Sequence, residues 1–311
     1  MPFDQFGCRA LVPSLPPGDE LEVPLLAGDA LPALPGPIAA RISHSFQQVD
    51  ARRQGSLRSF GKRGSAGPFC IAVPESRQYT PLQRAIRPVE RIGHRGAKRE
   101  HPENTLAAFK TAFDRGADAV ELDVHATHDG VVVVQHDPTL SSAFGSAAGR
   151  AIADLEWATI AAASSSSKTR IPTLAEVFGI VPAGGTVYVE IKGRNIETLV
   201  GQVLSDVRRR YAVHSFDHDT IRRMRDIAPE VPRGILYDQA PKDLERDMRE
   251  TGARDVWPAW RLIDGPLVDR VHAAGGRVIA WTMNDRDAAS DLIALGVDGI
   301  CTDDVRLLDG L

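Results

Sequence analysis

From about Pro88 to the C-terminus, short β-rich runs alternate with amphipathic helical periods, and that rhythm leaves few folds open. The runs predict strands at 91–94, 119–124, 186–192, 212–216, 233–237, 255–258, 277–282 and 299–302. The periods predict helices at 104–115, 173–180, 197–211, 219–228, 242–251, 266–274, 285–295 and 304–308, with Asn104 as N-cap of the first. Such alternation means a parallel sheet, and eight strands is the number at which that sheet closes on itself. The expectation is an α/β fold, a TIM (β/α)8 barrel, over residues 86–311. Two segments break the rhythm between the second strand and its helix: a hairpin in which Asp129-Gly130 leads into 131–135, and a Ser/Ala-rich stretch ending at 164–167. In a barrel the loops that follow strands form the functional face.

Residues 1–85 have another texture. Twelve of the 21 prolines lie in the first 90 residues, a density that opposes regular elements and a core. The expectation is an irregular, disordered N-terminal extension, with one short helix at most, around 38–53. Its basic cluster (Arg41, Arg52, Arg53, Arg58, Lys62 and Arg63) is suited to an anionic lipid or a protein partner. A net charge of -4, from 37 basic and 41 acidic residues, argues against nucleic acid as a partner and leaves a small anionic substrate open. The chain has no apolar run long enough for a membrane span, and MPFDQFGCRA lacks the basic start and apolar run of a secretory signal. Three widely spaced cysteines, Cys8, Cys70 and Cys301, suggest neither a disulfide framework nor a cysteine zinc site. A soluble cytoplasmic protein is expected, and the sequence does not specify its oligomeric state.

The reactive residues crowd the start of the barrel. In Glu121-Leu122-Asp123 and Glu190-Ile191-Lys192, strand alternation turns the first and third residues to one face. Taken singly, each pattern is more often a solvated face or an ion pair. Together they would put three inward carboxylates beside one lysine, a charge excess that a divalent cation resolves. Oxygen donors favour Mg²⁺ or Ca²⁺. His94 ends the first predicted strand and His136 ends the hairpin, so both fall on the functional rim, where imidazoles can exchange protons near neutral pH. Residue type alone does not select these two from the seven other histidines (His44, His101, His125, His128, His214, His218 and His272). Arg95 and Lys192 could hold phosphate oxygens. Gly93 and Gly96 allow a tight strand exit, and Phe216 and Trp281 could wall the apolar side of a pocket.

These residues stand in motifs that resemble the glycerophosphodiester phosphodiesterase family: Gly93-His94-Arg95-Gly96, Pro102-Glu103-Asn104-Thr105, Glu121-Leu122-Asp123-Val124, Asp129-Gly130 and His136-Asp137. Later segments keep the family order: Ile171-Pro172-Thr173-Leu174, Glu190-Ile191-Lys192, Ser215-Phe216, Trp281-Thr282-Met283-Asn284, Gly296-Val297-Asp298-Gly299 and Thr302-Asp303. The resemblance spans Ile92 to the C-terminus. It implies metal-dependent hydrolysis of glycerophosphodiesters such as glycerophosphocholine to glycerol 3-phosphate and an alcohol. It also implies His94 and His136 as the acid/base pair, Glu121, Asp123 and Glu190 as metal ligands, Arg95 and Lys192 on phosphate, and Glu103 and Asn104 in support. Two positions depart from the family pattern: Ser141-Ser142-Ala143-Phe144-Gly145 replaces an Arg-Thr-Thr run, and Asp304-Val305 replaces a proline. The first bears on substrate preference and the second on the start of the last helix. A lysophospholipase D acting on acylated relatives is a neighbouring reading; a Schiff-base lyase using Lys192 and a non-catalytic binding barrel are more distant ones.

Overall fold

The structure, a computed structural model, describes residues 88–166 and 169–311. The extension expected over 1–85, its helix at 38–53 and its basic cluster lie outside the described residues.

Strand β1 (Glu90–His94) is followed by β2 (Ala119–Ala126), the hairpin strand β3 (Val132–Val134), β4 (Thr186–Ile191), β5 (Arg210–Ser215), β6 (Arg233–Tyr237), β7 (Asp255–Pro258), β8 (Arg277–Ala280) and β9 (Gly299–Thr302). The sheet runs β1-β9-β8-β7-β6-β5-β4-β2, and β1 also pairs with β2, so eight parallel strands close into the expected barrel. Strand β3 lies antiparallel outside the ring, pairing Val134 with Val124 and Val132 with Ala126.

Alternation divides the side chains of the ring. Val120, Leu122, Val124, Val187, Val189 and Val213 face outward into the main apolar core, which they share with helix residues such as Phe109 and Val200. Ile92, Ala119, Tyr188, Ala212, Leu236, Trp257, Ile279 and Cys301 form a separate cluster inside the barrel. The interior is therefore a filled layer and not a pore. Below this layer, the strand starts carry Glu90, half-buried, and Asp255, fully buried. Arg277 pairs with both, Arg254 Nη2 lies 2.5 Å from Asp255 Oδ2, and Tyr188 Oη donates to Glu90 at 2.8 Å. Two acids and two arginines balance each other at this end.

Helices α1 (Leu106–Asp114), α2 (Trp157–Ser166), α3 (Leu174–Ile180), α4 (Glu197–Ser205), α5 (His218–Ile227), α6 (Leu244–Thr251), α7 (Gly265–Ala273) and α8 (Arg286–Leu295) connect the strands. Between β3 and α3 the inserted segment has an apolar cluster of its own, in which Phe144, Ile152, Leu155 and Ile160 pack with Val133 and Ile171.

Three sequence expectations are corrected. The N-cap of α1 is Thr105, whose side chain accepts from Ala108 N, whereas Asn104 is left-handed at φ 58° and sends its amide to Asp123. The helix expected over 197–211 ends at Ser205, because Arg210 and Tyr211 pair in register with Thr186 and Val187 as the start of β5. The segment expected as a helix over 304–308 is a 3₁₀ turn, Val305–Leu308, with Asp304 as its cap in place of the family proline.

The exit from β1 fixes everything placed after it. Gly96 has φ 83°, and a Cβ there would lie 2.6 Å from the backbone carbon of Ala108 in α1. Gly96→Ala should therefore cost about 2 kcal/mol or more in urea unfolding, from left-handed strain together with overpacking. Gly179→Ala in α3, where a Cβ meets nothing within 4 Å, should be neutral or mildly stabilising. Equal effects at the two positions would refute this reading of the β1 exit.

Candidate active site

At the opposite end from the balanced arginines, β1, β2, β4 and β5 each deliver polar side chains in register. His94 pairs with Glu121, Asp123 with Glu190, and Glu190 with His214. Glu121, Asp123, Glu190 and His214 are all buried. The sequence expectation had brought together all of these except His214.

Both fixed cations reach Asp123, and Lys192 is shared with Glu190. Arg95 Nε lies 3.1 Å from Asp123 Oδ2, Asn104 Nδ2 donates to the same oxygen at 2.9 Å, and Lys192 Nζ is 3.5 Å from Asp123 Oδ1. Burial alone would raise the Asp123 pKa; the charge of Arg95, the Asn104 hydrogen bond and Lys192 together hold it below its ordinary value. Arg95 also donates through Nη1 to Glu103 at 2.9 Å, so Glu103 orients the guanidinium. Arg95 itself is left-handed, at φ 56°, and its backbone N–H donates to Glu121 Oε2 at 3.2 Å.

The two glutamates are less well served. Glu190 has the Lys192 ammonium at 3.1 Å, and Glu121 has the Arg95 amide. Burial, then the charge of Asp123, pushes the Glu121 carboxyl up to about 7. Burial, then the charges of Asp123 and Glu121, pushes Glu190 up to about 7 as well. Beside them His214 is pushed down to about 4 by burial, which leaves it neutral with a lone pair to donate.

A divalent cation fits this environment. Glu121, Glu190 and His214 each offer an atom within 4.8 Å of the other two. Asp123 Oδ1 and both nitrogens of His214 are buried without a hydrogen-bond partner, which native interiors rarely tolerate. Three carboxylates face two fixed cations here, and two positive charges from an ion would cover the shortfall.

The histidines flank this cluster. His94 Nδ1 is 2.7 Å from Asp303 Oδ1, while Asp303 also takes Lys98 Nζ at 3.1 Å and Asn284 Nδ2 at 2.8 Å. Burial opposes ionisation of Asp303, but the hydrogen bond and charge of His94, with Lys98, bring it down to about 2. His136 Nδ1 is 2.8 Å from Asp137 Oδ1, and its loop is tied to the cluster because Gln135 N donates to Asp123 O at 3.0 Å. In both pairs a carboxylate holds Nδ1, an arrangement that presents Nε2 outward. On the far side of the rim, Phe216 is 40% exposed and stands edge-to-face with Trp281, ring centroids 5.2 Å apart. Trp281 is fixed by a 2.9 Å hydrogen bond from Nε1 to Trp257 O.

Sequence reasoning did not single out His214 or Asp303. For His214 a signal was present: on a strand next to β4, it lies two residues before Phe216 and so shares its face. Its registration against Glu190 needed the folded sheet. Asp303 stands in the Thr302-Asp303 motif, but its contact with His94 spans 209 residues.

Residues 94–307 match the glycerophosphoryl diester phosphodiesterase family. Over 71% of its length the chain is 32% identical to a glycerophosphodiester phosphodiesterase of Caldanaerobacter subterraneus, 96% of which is covered. Among solved structures it is similar to an Oleispira antarctica phosphodiesterase in complex with the product sn-glycerol-3-phosphate, at a TM-score of 0.63 and 25% identity, covering 70% of this chain and 94% of that one. It is also similar to a glycerophosphodiester phosphodiesterase from Thermotoga maritima, at a TM-score of 0.63 and 27% identity, covering 71% and 96%.

The raised carboxyls set a pH test. Glu121 and Glu190 have ordinary values of 4.5 and values of about 7 in the fold, so the folded form favours their protonated state. What they contribute is fully present below about 4.5 and is lost as pH rises through about 7. With metal removed, the double variant Glu121→Gln/Glu190→Gln should match the parent Tm at about pH 4 and exceed it by about 3 °C or more at about pH 8. A variant less stable than the metal-free parent at pH 8 would contradict the uncompensated-charge reading.

Proposed function

The chain belongs to the glycerophosphoryl diester phosphodiesterase family of hydrolases, and on that premise we propose that it cleaves glycerophosphodiesters such as glycerophosphocholine to glycerol 3-phosphate and an alcohol, in a metal-dependent reaction. We further propose residues 86–311 as the catalytic unit. The observation that carries the reading is the charge imbalance at one end of the barrel, with a histidine held by an aspartate on either side of it.

Glu121, Asp123 and Glu190 are the residues proposed to hold a divalent ion, which when bound would draw charge from the phosphoryl oxygens and orient the phosphate. Arg95 and Lys192 supply fixed positive charge for the same oxygens; Arg95 is aimed by Glu103 and Asp123, and Asn104 steadies Asp123. One histidine of the pair His94 and His136 takes the proton of the attacking oxygen, from water or from the substrate's own glycerol hydroxyl. The other gives a proton to the departing alcohol oxygen. Asp303 and Asp137 favour the tautomers in which Nε2 can act. Phe216 and Trp281 form the apolar wall of the mouth.

The exposed Phe216 ring also favours a second reading, in which the mouth takes an acyl chain and the substrate is a lysophospholipid. A Schiff-base role for Lys192 has less support. Burial would lower its pKa, but the Glu190 and Asp123 carboxylates raise it overall, so the ammonium stays protonated and is a poor nucleophile.

Purified protein should release glycerol 3-phosphate from glycerophosphocholine, lose that activity on chelation and regain it with a divalent ion. Turnover of lysophosphatidylcholine in the same assay decides between the two substrate readings. His94→Ala and His136→Ala should each lower kcat by about 10² to 10⁴, and undiminished rates would remove them from proton transfer. Asp303→Asn should lower kcat at least about 10-fold with KM little changed, as expected when a histidine loses its orienting carboxylate.

A further inference from the structure

The buried imidazole of His214 plays no part in the proposed proton transfers. Its side chain is 1% exposed, and neither ring nitrogen has a hydrogen-bond partner. The ring cannot readily turn away to find one. Trp257 packs edge-to-face against it, with centroids 4.3 Å apart, and Tyr188 closes another side at 6.3 Å. Gly234 makes this packing possible, since a Cβ there would lie 3.0 Å from the Trp257 ring and 3.1 Å from His214 Cβ. Nε2 stands 3.7 Å from Glu121 Oε1. That separation is too long for a hydrogen bond but suits two donors each about 2.0 to 2.2 Å from one ion.

We propose that His214 donates Nε2 to the ion held by Glu121 and Glu190, so that this centre favours a borderline divalent metal such as Zn²⁺ over Mg²⁺ or Ca²⁺. The proposal rests on the metal-dependent reading above. The oxygen-only set of Glu121, Asp123 and Glu190 had suggested Mg²⁺ or Ca²⁺. An imidazole changes that expectation, because nitrogen donors gain most with zinc and its neighbours and least with the hard cations. The division of charge agrees with it: Arg95 and Asn104 serve Asp123, Lys192 is shared between Asp123 and Glu190, and Glu121 beside His214 is ion-paired to neither cation.

The test uses the full chain stripped of metal. Zn²⁺ and Mg²⁺ affinities are measured by calorimetry, with a competing chelator where needed, for the wild type and His214→Gln. The expected result is a loss of about 100-fold in Zn²⁺ affinity with Mg²⁺ affinity changed less than about 3-fold. Equal losses for the two ions would overturn the proposal. X-ray absorption of the zinc-loaded wild type provides a readout that does not depend on the variant folding. A shell with one imidazole supports the proposal, and an oxygen-only shell overturns it while leaving metal-dependent hydrolysis intact. A wild type that binds neither ion would overturn both.

Discussion

The structure turns on how a closed barrel pays for buried acids. Both ends of this one bury carboxylates on inward-facing strand positions, where an unpaired charge is costly. At the strand starts, Glu90 and Asp255 meet Arg277 and Arg254, and the charges balance within the protein. At the strand ends, Arg95 and Lys192 are the only lysine or arginine ion-pair partners of Glu121, Asp123 and Glu190 among the described residues. The first arrangement is a structural floor. The second is one charge short, and the proposed binding of a cation and an anionic substrate gives a reason for it to be left so.

The local backbone follows from that need. Arg95 reaches Asp123 from a left-handed residue directly after β1, and Gly96 completes the turn by pressing against α1. Asn104 adopts a second left-handed conformation, which releases its amide to Asp123 and leaves helix capping to Thr105. These two sparsely populated non-glycine conformations in one short span are sustained because tertiary contacts hold each of them. The motif Gly93-His94-Arg95-Gly96 is thus a set of steric and electrostatic requirements as much as a catalytic label.

Much of the fold was legible because its signals are local. Glu121 and Asp123 share a face by strand alternation alone, Asp129-Gly130 marks the hairpin, and the β/α rhythm dictates a parallel barrel. Boundaries were less legible where two elements compete for the same residues. Arg210 and Tyr211 continue a helical period, yet pairing with Thr186 and Val187 makes them strand. Asn104 has the composition of an N-cap, but its partner, Asp123, lies in another element.

The sequence by itself determined the architecture and the identity of the proposed first-rank site residues, because periodicity and short motifs are properties of neighbours along the chain. Only the tertiary structure decided how the fixed cations are shared between Asp123 and Glu190, that Asp303 holds His94 across the closure of the barrel, and that His214 stands with an unpaired nitrogen beside Glu121 and Glu190. Those facts depend on the register between strands and on how fully water is excluded. Neither quantity exists until the ring has closed.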